Sequence, residues 1–151
     1  MKKYTAQHYG KQFVLLTEAR EEIGRIADVS NFFSLKHYII FRSRSYDIRN
    51  VGFLKNDVEL FNANGVIYFT DLAKERIIKS GKEVRIYYFK LDKTSRLSEK
   101  GNLLAEISEE RNRSKETVFH VEADDNVDDL LILLFLHYST KEFNGIGGDG
   151  D

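Results

Sequence analysis

Arg42 and Arg44 stand two residues apart in a stretch that reads as extended chain, a spacing that projects both side chains on one face of a strand. Lys36 precedes them, Arg49 and Lys55 follow, and Tyr38 and Tyr46 lie nearby in sequence. Guanidinium and ammonium groups in such a row suit phosphate oxygens, Arg as a bidentate donor and Lys as a point charge. The expectation is a basic strand face, Lys36, Arg42, Arg44 and Arg49, that takes an anionic lipid headgroup or a phosphorylated ligand. The competing reading is a solvated outer face whose charges discourage edge pairing. Nucleic acid, for which stacking aromatics should interleave with the cations, is the less favoured occupant and is not expected.

Other residues with chemical potential sort out differently. Asp124, Asp125, Asn126, Asp128 and Asp129 resemble a calcium loop, but the sixth position holds Asp129 where Gly is needed and the twelfth holds Phe135 where a bidentate Glu belongs. His8, His37, His120 and His137 are dispersed, with no pair at the i, i+4 spacing of a helical metal site; His137, at the end of an apolar run, is placed to cap a barrel mouth. Gly145 to Asp151 is a single glycine- and aspartate-rich copy that has no neighbours to stack on, and it reads as a tail. No nucleophile elbow, phosphate loop or dinucleotide fingerprint is present. The expectation is a non-catalytic module without metal or cofactor, with an unrecognised enzyme as the less favoured alternative, since missing motifs do not exclude activity.

Composition narrows the class. A chain of 151 residues forms one domain with a single core. The absence of Cys removes disulfides, thiolate metal sites and cysteine nucleophiles together. Lys2 and Lys3 lead into a polar segment with no apolar signal region, so a cytoplasmic protein is the expectation. The net charge of −1 conceals a split: residues 1–120 carry 22 Lys and Arg against 16 Asp and Glu, or +6, and residues 121–151 carry 1 against 8, or −7.

The elements that must position these groups follow from periodicity. Leu130 to Leu136 is an unbroken apolar run behind the acidic step, mostly Leu, which predicts a helix from about Asn126 to Phe143 that is buried on every side. It is shorter than the roughly 20 apolar residues a bilayer span needs, so no transmembrane segment is expected. Upstream, 13–18, 22–29, 36–43, 45–55, 58–61, 66–70, 83–91, 102–108 and 117–121 read as strands. Asn64-Gly65 supplies the positive φ of a primed hairpin turn or an αL bulge, Gly52 marks a bulge or close approach, and 71–80 is either a helical turn or a strand at Arg76 to Lys79. Residues 92–100 read as a polar loop. Tyr87, Tyr88 and Phe89 in succession predict a strand with both faces at least partly covered. The Gly10 and Gly81 strand starts, each leading to a Gly-opened partner at Gly24 or Gly101, suggest two similar sheet halves. Only a closed or nearly closed sheet can surround a helix that is apolar all round, so the fold class is mostly β, an antiparallel β-barrel or closed sandwich enclosing one hydrophobic C-terminal α-helix, with residues 1–144 as the domain and 145–151 as the tail.

The order of a Gly-opened strand (Gly101 to Ile107, GNLLAEI), a charged turn, another strand (Thr117 to Val121, TVFHV), Asp124-Asp125 and then LLILLFL resembles the tubby C-terminal-like group, which takes in the tubby, phospholipid scramblase and LURP-one-related families. The resemblance covers roughly residues 83–138. It implies a closed antiparallel barrel of about twelve strands threaded by the C-terminal helix, and a role near lipids, as in phosphoinositide binding by tubby. No functional residue of those families carries over. The partner expected is an anionic membrane surface, the alternative a protein partner for an interaction or structural domain.

Overall fold

The computed structural model describes residues 1–111, 114 and 116–142. Twelve antiparallel strands form a closed barrel: β1 Lys2–Tyr9, β2 Gln12–Thr17, β3 Glu22–Asp28, β4 His37–Phe41, β5 Arg44–Val51, β6 Asp57–Asn62, β7 Gly65–Asp71, β8 Arg76–Lys79, β9 Arg85–Lys90, β10 Thr94–Glu99, β11 Asn102–Arg111 and β12 Thr117–Ala123. Each strand pairs with its chain neighbour, and β12 closes onto β1 from Lys2↔Ala123 to Gln7↔Val118, which leaves no open sheet edge.

The reason for closure lies on the axis. The helix α1, Asp129–His137, runs through the barrel and passes into one π turn, Tyr138–Glu142. Leu131 to Leu136 are at most 1% exposed, so the helix has no solvent face. Inward strand positions meet it: Ile39 and Phe41 from β4, Tyr46 and Ile48 from β5, Tyr87 and Phe89 from β9, Phe119 and Val121 from β12. The helix lies nearest β3 and β4. Gly24 makes that approach feasible, since a Cβ there would stand 2.7 Å from Leu133 Cδ1 and 2.9 Å from the Ile40 carbonyl oxygen. The acids of residues 124–129 organise the entry: Asp124 Oδ1 accepts from the Asn126 N–H at 2.9 Å, and Asp128 caps the helix by accepting from the Leu130 N–H at 3.0 Å. The helix therefore starts three residues later than periodicity predicts; its expected end at Phe143, like the 145–151 tail, lies outside the described residues.

Several elements differ from expectation for identifiable reasons. β1 and β10 occupy segments read as polar chain, because their inward positions include the small or polar Ala6 and Ser95 and so lack an apolar alternation. Residues 71–80 are both readings at once, a 3₁₀ turn at Leu72–Lys74 followed by β8. β9 is buried on its inner face and partly covered on the outer one, where Ile86 is 36% and Tyr88 49% exposed. The echo between Gly10 and Gly81 is not structural: β2 and β3 are neighbours, whereas β10 intervenes between β9 and β11. Gly52, with φ +83, starts a 3₁₀ turn after β5 and is not a bulge in a strand. At the β6–β7 hairpin only Gly65 has positive φ. The paired positive φ values of a type I′ turn fall instead on Arg42 (φ 52) and Ser43 (φ 62), between β4 and β5.

Candidate functional site

The basic residues expected on one strand face are distributed over both ends of the barrel. Arg42 belongs to the β4–β5 turn, with its guanidinium 5.0 Å from the Phe41 ring centroid, and so does not project beside Arg44 from a strand. Arg44 opens β5 on the parity of the inward-facing Tyr46 and Ile48, at the mouth. Arg49 lies on the opposite parity and about 17 Å along the strand from Arg44, at about 3.4 Å per residue. It is committed to Glu59, Nε to Oε1 at 3.1 Å and an η nitrogen at 2.6 Å, and stacks 4.8 Å from the Phe61 centroid. Lys36 precedes β4 at the same end as Arg49. Tyr46 is buried in the core. Arg42 and Arg44 thus sit towards one rim, and Lys36 and Arg49 towards the other.

An up-and-down barrel sends every second connection to the same rim. The rim where α1 enters holds the turns 18–21, 42–43, 63–64, 80–84 and 100–101 and the acidic step 124–128. It is closed by a polar network. Lys2 Nζ donates to Asp129 Oδ1 at 2.8 Å and to the Val127 carbonyl at 2.6 Å, the Tyr4 hydroxyl donates to Asp129 Oδ1 at 2.9 Å, and the Tyr68 hydroxyl donates to Asp128 Oδ2 at 3.1 Å. Burial, reinforced by Asp129, raises the Tyr4 phenol above its ordinary value; burial and the Asp128 charge raise Tyr68, and burial raises Tyr87. Arg85 and Glu99 form a fork across the β9–β10 seam at 2.6 and 2.9 Å, and this hydrogen bonding holds the carboxyl below its usual range. A pocket of about 110 Å³ at this end is lined by Tyr68, Tyr87, Arg85 and Asp128. Lys79 and Asp124 line it as well; Arg85 is held by Glu99, Asp128 by the Tyr68 hydroxyl and the Leu130 N–H, and Asp124 by the Asn126 N–H, which suits the group to holding the helix start in place.

The rim where α1 leaves is different. Its five fully described connections, 10–11, 29–36, 52–56, 72–75 and 91–93, each contain one exposed lysine: Lys11, Lys36, Lys55, Lys74 and Lys93. None enters an ion pair with a described residue. Of the acids in these connections, Glu75 takes Lys90 at 3.5 Å and Asp92 accepts from the Lys93 N–H at 2.8 Å. The five fully described connections of this rim sum to +3; those of the entry rim, from Arg20, Arg42, Lys82 and Lys100 against Glu18, Glu21, Glu83, Asp124, Asp125 and Asp128, sum to −2. The barrel is therefore polarised along its axis. Two of the four dispersed histidines meet here: His37 and His137 are both buried, 5.0 Å between centroids, with His37 Nε2 3.6 Å from Asp28 Oδ1. Among the described residues no group of three or more His, Asp or Glu converges as a metal-holding set.

This rim also carries apolar tips. Phe32 and Phe33 are 97% and 91% exposed, Leu35 70% and Leu54 74%. Neither these nor the lysine ring is apparent as a motif, since the lysines are spread over more than eighty residues. The signal available in sequence is NFFSL, two phenylalanines in a connection with no strand alternation. Among the described residues no helix is long and apolar enough to cross a membrane. Compared with protein-family models, curated proteins and solved structures, the chain matches none.

Proposed function

We propose that the protein is a non-catalytic binding module that recognises an anionic surface, a lipid headgroup layer or a phosphorylated ligand, through the rim where the helix leaves the barrel. The observation that carries this reading is the lysine in each of five connections at one rim, none paired with a described residue. Five ammonium groups on one end of a polarised body attract and orient an anionic partner, each worth about 1 kcal/mol against an anionic bilayer. The reading relocates the anionic site from the strand face: Lys36 stays in it, Arg49 is held by Glu59, and Arg42 and Arg44 fall at the other end. Kinship with the tubby C-terminal-like group is part of the proposal, supported by a twelve-strand barrel around a C-terminal helix.

A protein-interaction role is the second reading. It is favoured by the outer face of β9 and β11, where Ile86, Tyr88 and Leu103 are exposed beside a shallow cleft of about 510 Å³. Cosedimentation at low salt separates these readings. Binding to phosphatidylserine vesicles that falls as salt rises, and is not displaced by soluble inositol phosphates, assigns the lipid surface. Displacement by the soluble phosphates assigns a phosphorylated ligand. No binding to either rejects the anionic reading in favour of the protein interface.

A further inference from the structure

Among the described residues, the apolar side chains of this rim that are at least 70% exposed are Phe32, Phe33, Leu35 and Leu54, and a lysine follows each of the two leucines. Leu35 is followed by Lys36, and Leu54 by Lys55. The β3–β4 and β5–β6 connections that carry them are separated by the β4–β5 hairpin, about 10 Å at a strand spacing of about 4.8 Å. A phenyl ring that is 97% exposed has almost no protein beside it, and the Phe32 and Phe33 rings touch chiefly each other, edge to face at 5.3 Å.

The β3–β4 loop is built to hold these rings outward. Asn31 Oδ1 accepts from the N–H groups of Phe33 at 2.8 Å and Ser34 at 2.9 Å, and the Asn31 N–H donates to the Ser34 carbonyl at 2.9 Å. At the base, the Val29 N–H donates to the Lys36 carbonyl, the Lys36 N–H to Ser30 Oγ and the Ser30 N–H to Asp28 Oδ1, each at 2.9 Å. The loop thus spends its polar side chains on its own backbone, which is the condition for placing backbone in a medium that offers no hydrogen bonds. On the β5–β6 connection, Leu54 (φ 58) and Lys55 (φ 55) both take the left-handed conformation that ordinary residues avoid, and the result is a leucine pointing into solvent.

We infer that Phe32, Phe33, Leu35 and Leu54 insert shallowly into the acyl boundary of an anionic membrane, while Lys36, Lys55 and the other rim lysines remain at the phosphates. The inference rests on the reading of this rim as an anionic-surface site and names the bilayer as its partner. The lysine that follows Leu35 and the one that follows Leu54, together with the projection of all four tips, favour lipid. Acyl chains close around a projecting ring of any shape, whereas a protein partner must supply a matched pocket for each. Lysine stems reach upward from a buried neighbour to the headgroups. The apolar tips supply the part of the affinity that salt does not screen.

The chain contains no tryptophan, so Phe32→Trp in the full protein gives a single indole reporter. It is titrated with vesicles of about one-third phosphatidylserine in phosphatidylcholine, with and without quenchers on the upper acyl chain. The expected result is a blue shift and acyl-chain quenching with the anionic vesicles. The Phe32→Ser/Phe33→Ser variant should melt as wild type, because both rings are exposed, yet bind the vesicles about 100-fold more weakly, at about tenfold per ring. If wild type binds but the indole neither shifts nor is quenched and the serine variant binds equally, insertion is overturned while the charged rim stands. If wild type ignores the vesicles at low salt, the underlying reading fails and the inference with it. A blue shift that grows with protein concentration in the absence of vesicles also overturns it, by assigning the tips to a second copy of the chain.

Discussion

Gly24→Ala introduces a methyl group at the closest approach between the sheet and the axial helix. Its Cβ would stand 2.7 Å from Leu133 Cδ1 and 2.9 Å from the Ile40 oxygen, against a comfortable separation of about 3.5 to 4 Å. Leu133 is fully buried, so its side chain has little room to retreat, and the Ile40 oxygen belongs to the strand paired with β3. Overpacking of this kind costs about 1 to 3 kcal/mol. Leu133→Ala alone leaves a cavity and costs about 2 to 5 kcal/mol. Together the two changes interact: removing the leucine removes the closer of the two clashes and gives the new methyl space, while the carbonyl contact persists. The double variant should therefore be less destabilised than the sum by about 0.5 to 2 kcal/mol. Denaturant midpoints of the four proteins at constant m-value measure this coupling. Additivity within about 0.5 kcal/mol would refute the placement of Leu133 against β3.

Replacing Arg42-Ser43 by Asn-Gly, the residues a type I′ turn favours, should stabilise the protein by about 1 kcal/mol in thermal melts and leave vesicle binding unchanged. Asp128→Ala removes both the helix cap and the acceptor of the Tyr68 hydroxyl, and should cost about 2 kcal/mol by chemical denaturation. The raised phenols of Tyr4, Tyr68 and Tyr87 are protonated in the fold when an unfolded tyrosine would already ionise. Their contribution is complete below about pH 10 and declines above it, by up to about 1.4 kcal/mol per pH unit for each. A phenolate absorbance titration should show these three ionising only as the circular dichroism of the fold is lost; ionisation of all eight tyrosines near pH 10 with the fold intact would contradict the network at the helix entry.

Different parts of the molecule were legible to different degrees. The axial helix and the closed sheet follow from one observation, that Leu130 to Leu136 offers no polar face and must be surrounded. β1 and β10 escaped because the barrel needs small or polar inward residues in places, Ala6 and Ser95 among them, and these carry no apolar period. The candidate site was legible only in part. Strand parity placed Arg42 and Arg44 together, but the turn begins at Arg42 and removes it from the strand. Lys36 belongs to the lysine rim for a reason local sequence does not contain: alternate turns of an up-and-down barrel share an end, so lysines from 11 to 93 become neighbours only when the topology is known. The phenylalanine pair breaks the burial rule for large apolar residues, and burial is what a reading of strands and core assumes.

The central claim, that one specific rim faces an anionic membrane, is tested most directly by reversing charge at each rim in the same vesicle assay. Lys36→Glu/Lys55→Glu/Lys74→Glu should weaken binding to phosphatidylserine vesicles at low salt by at least about 100-fold, since each lysine is worth about 1 kcal/mol, while Arg42→Glu/Arg44→Glu should bind within about threefold of wild type. Equal losses in the two variants, or a loss confined to the arginine pair, would contradict the assignment of that rim.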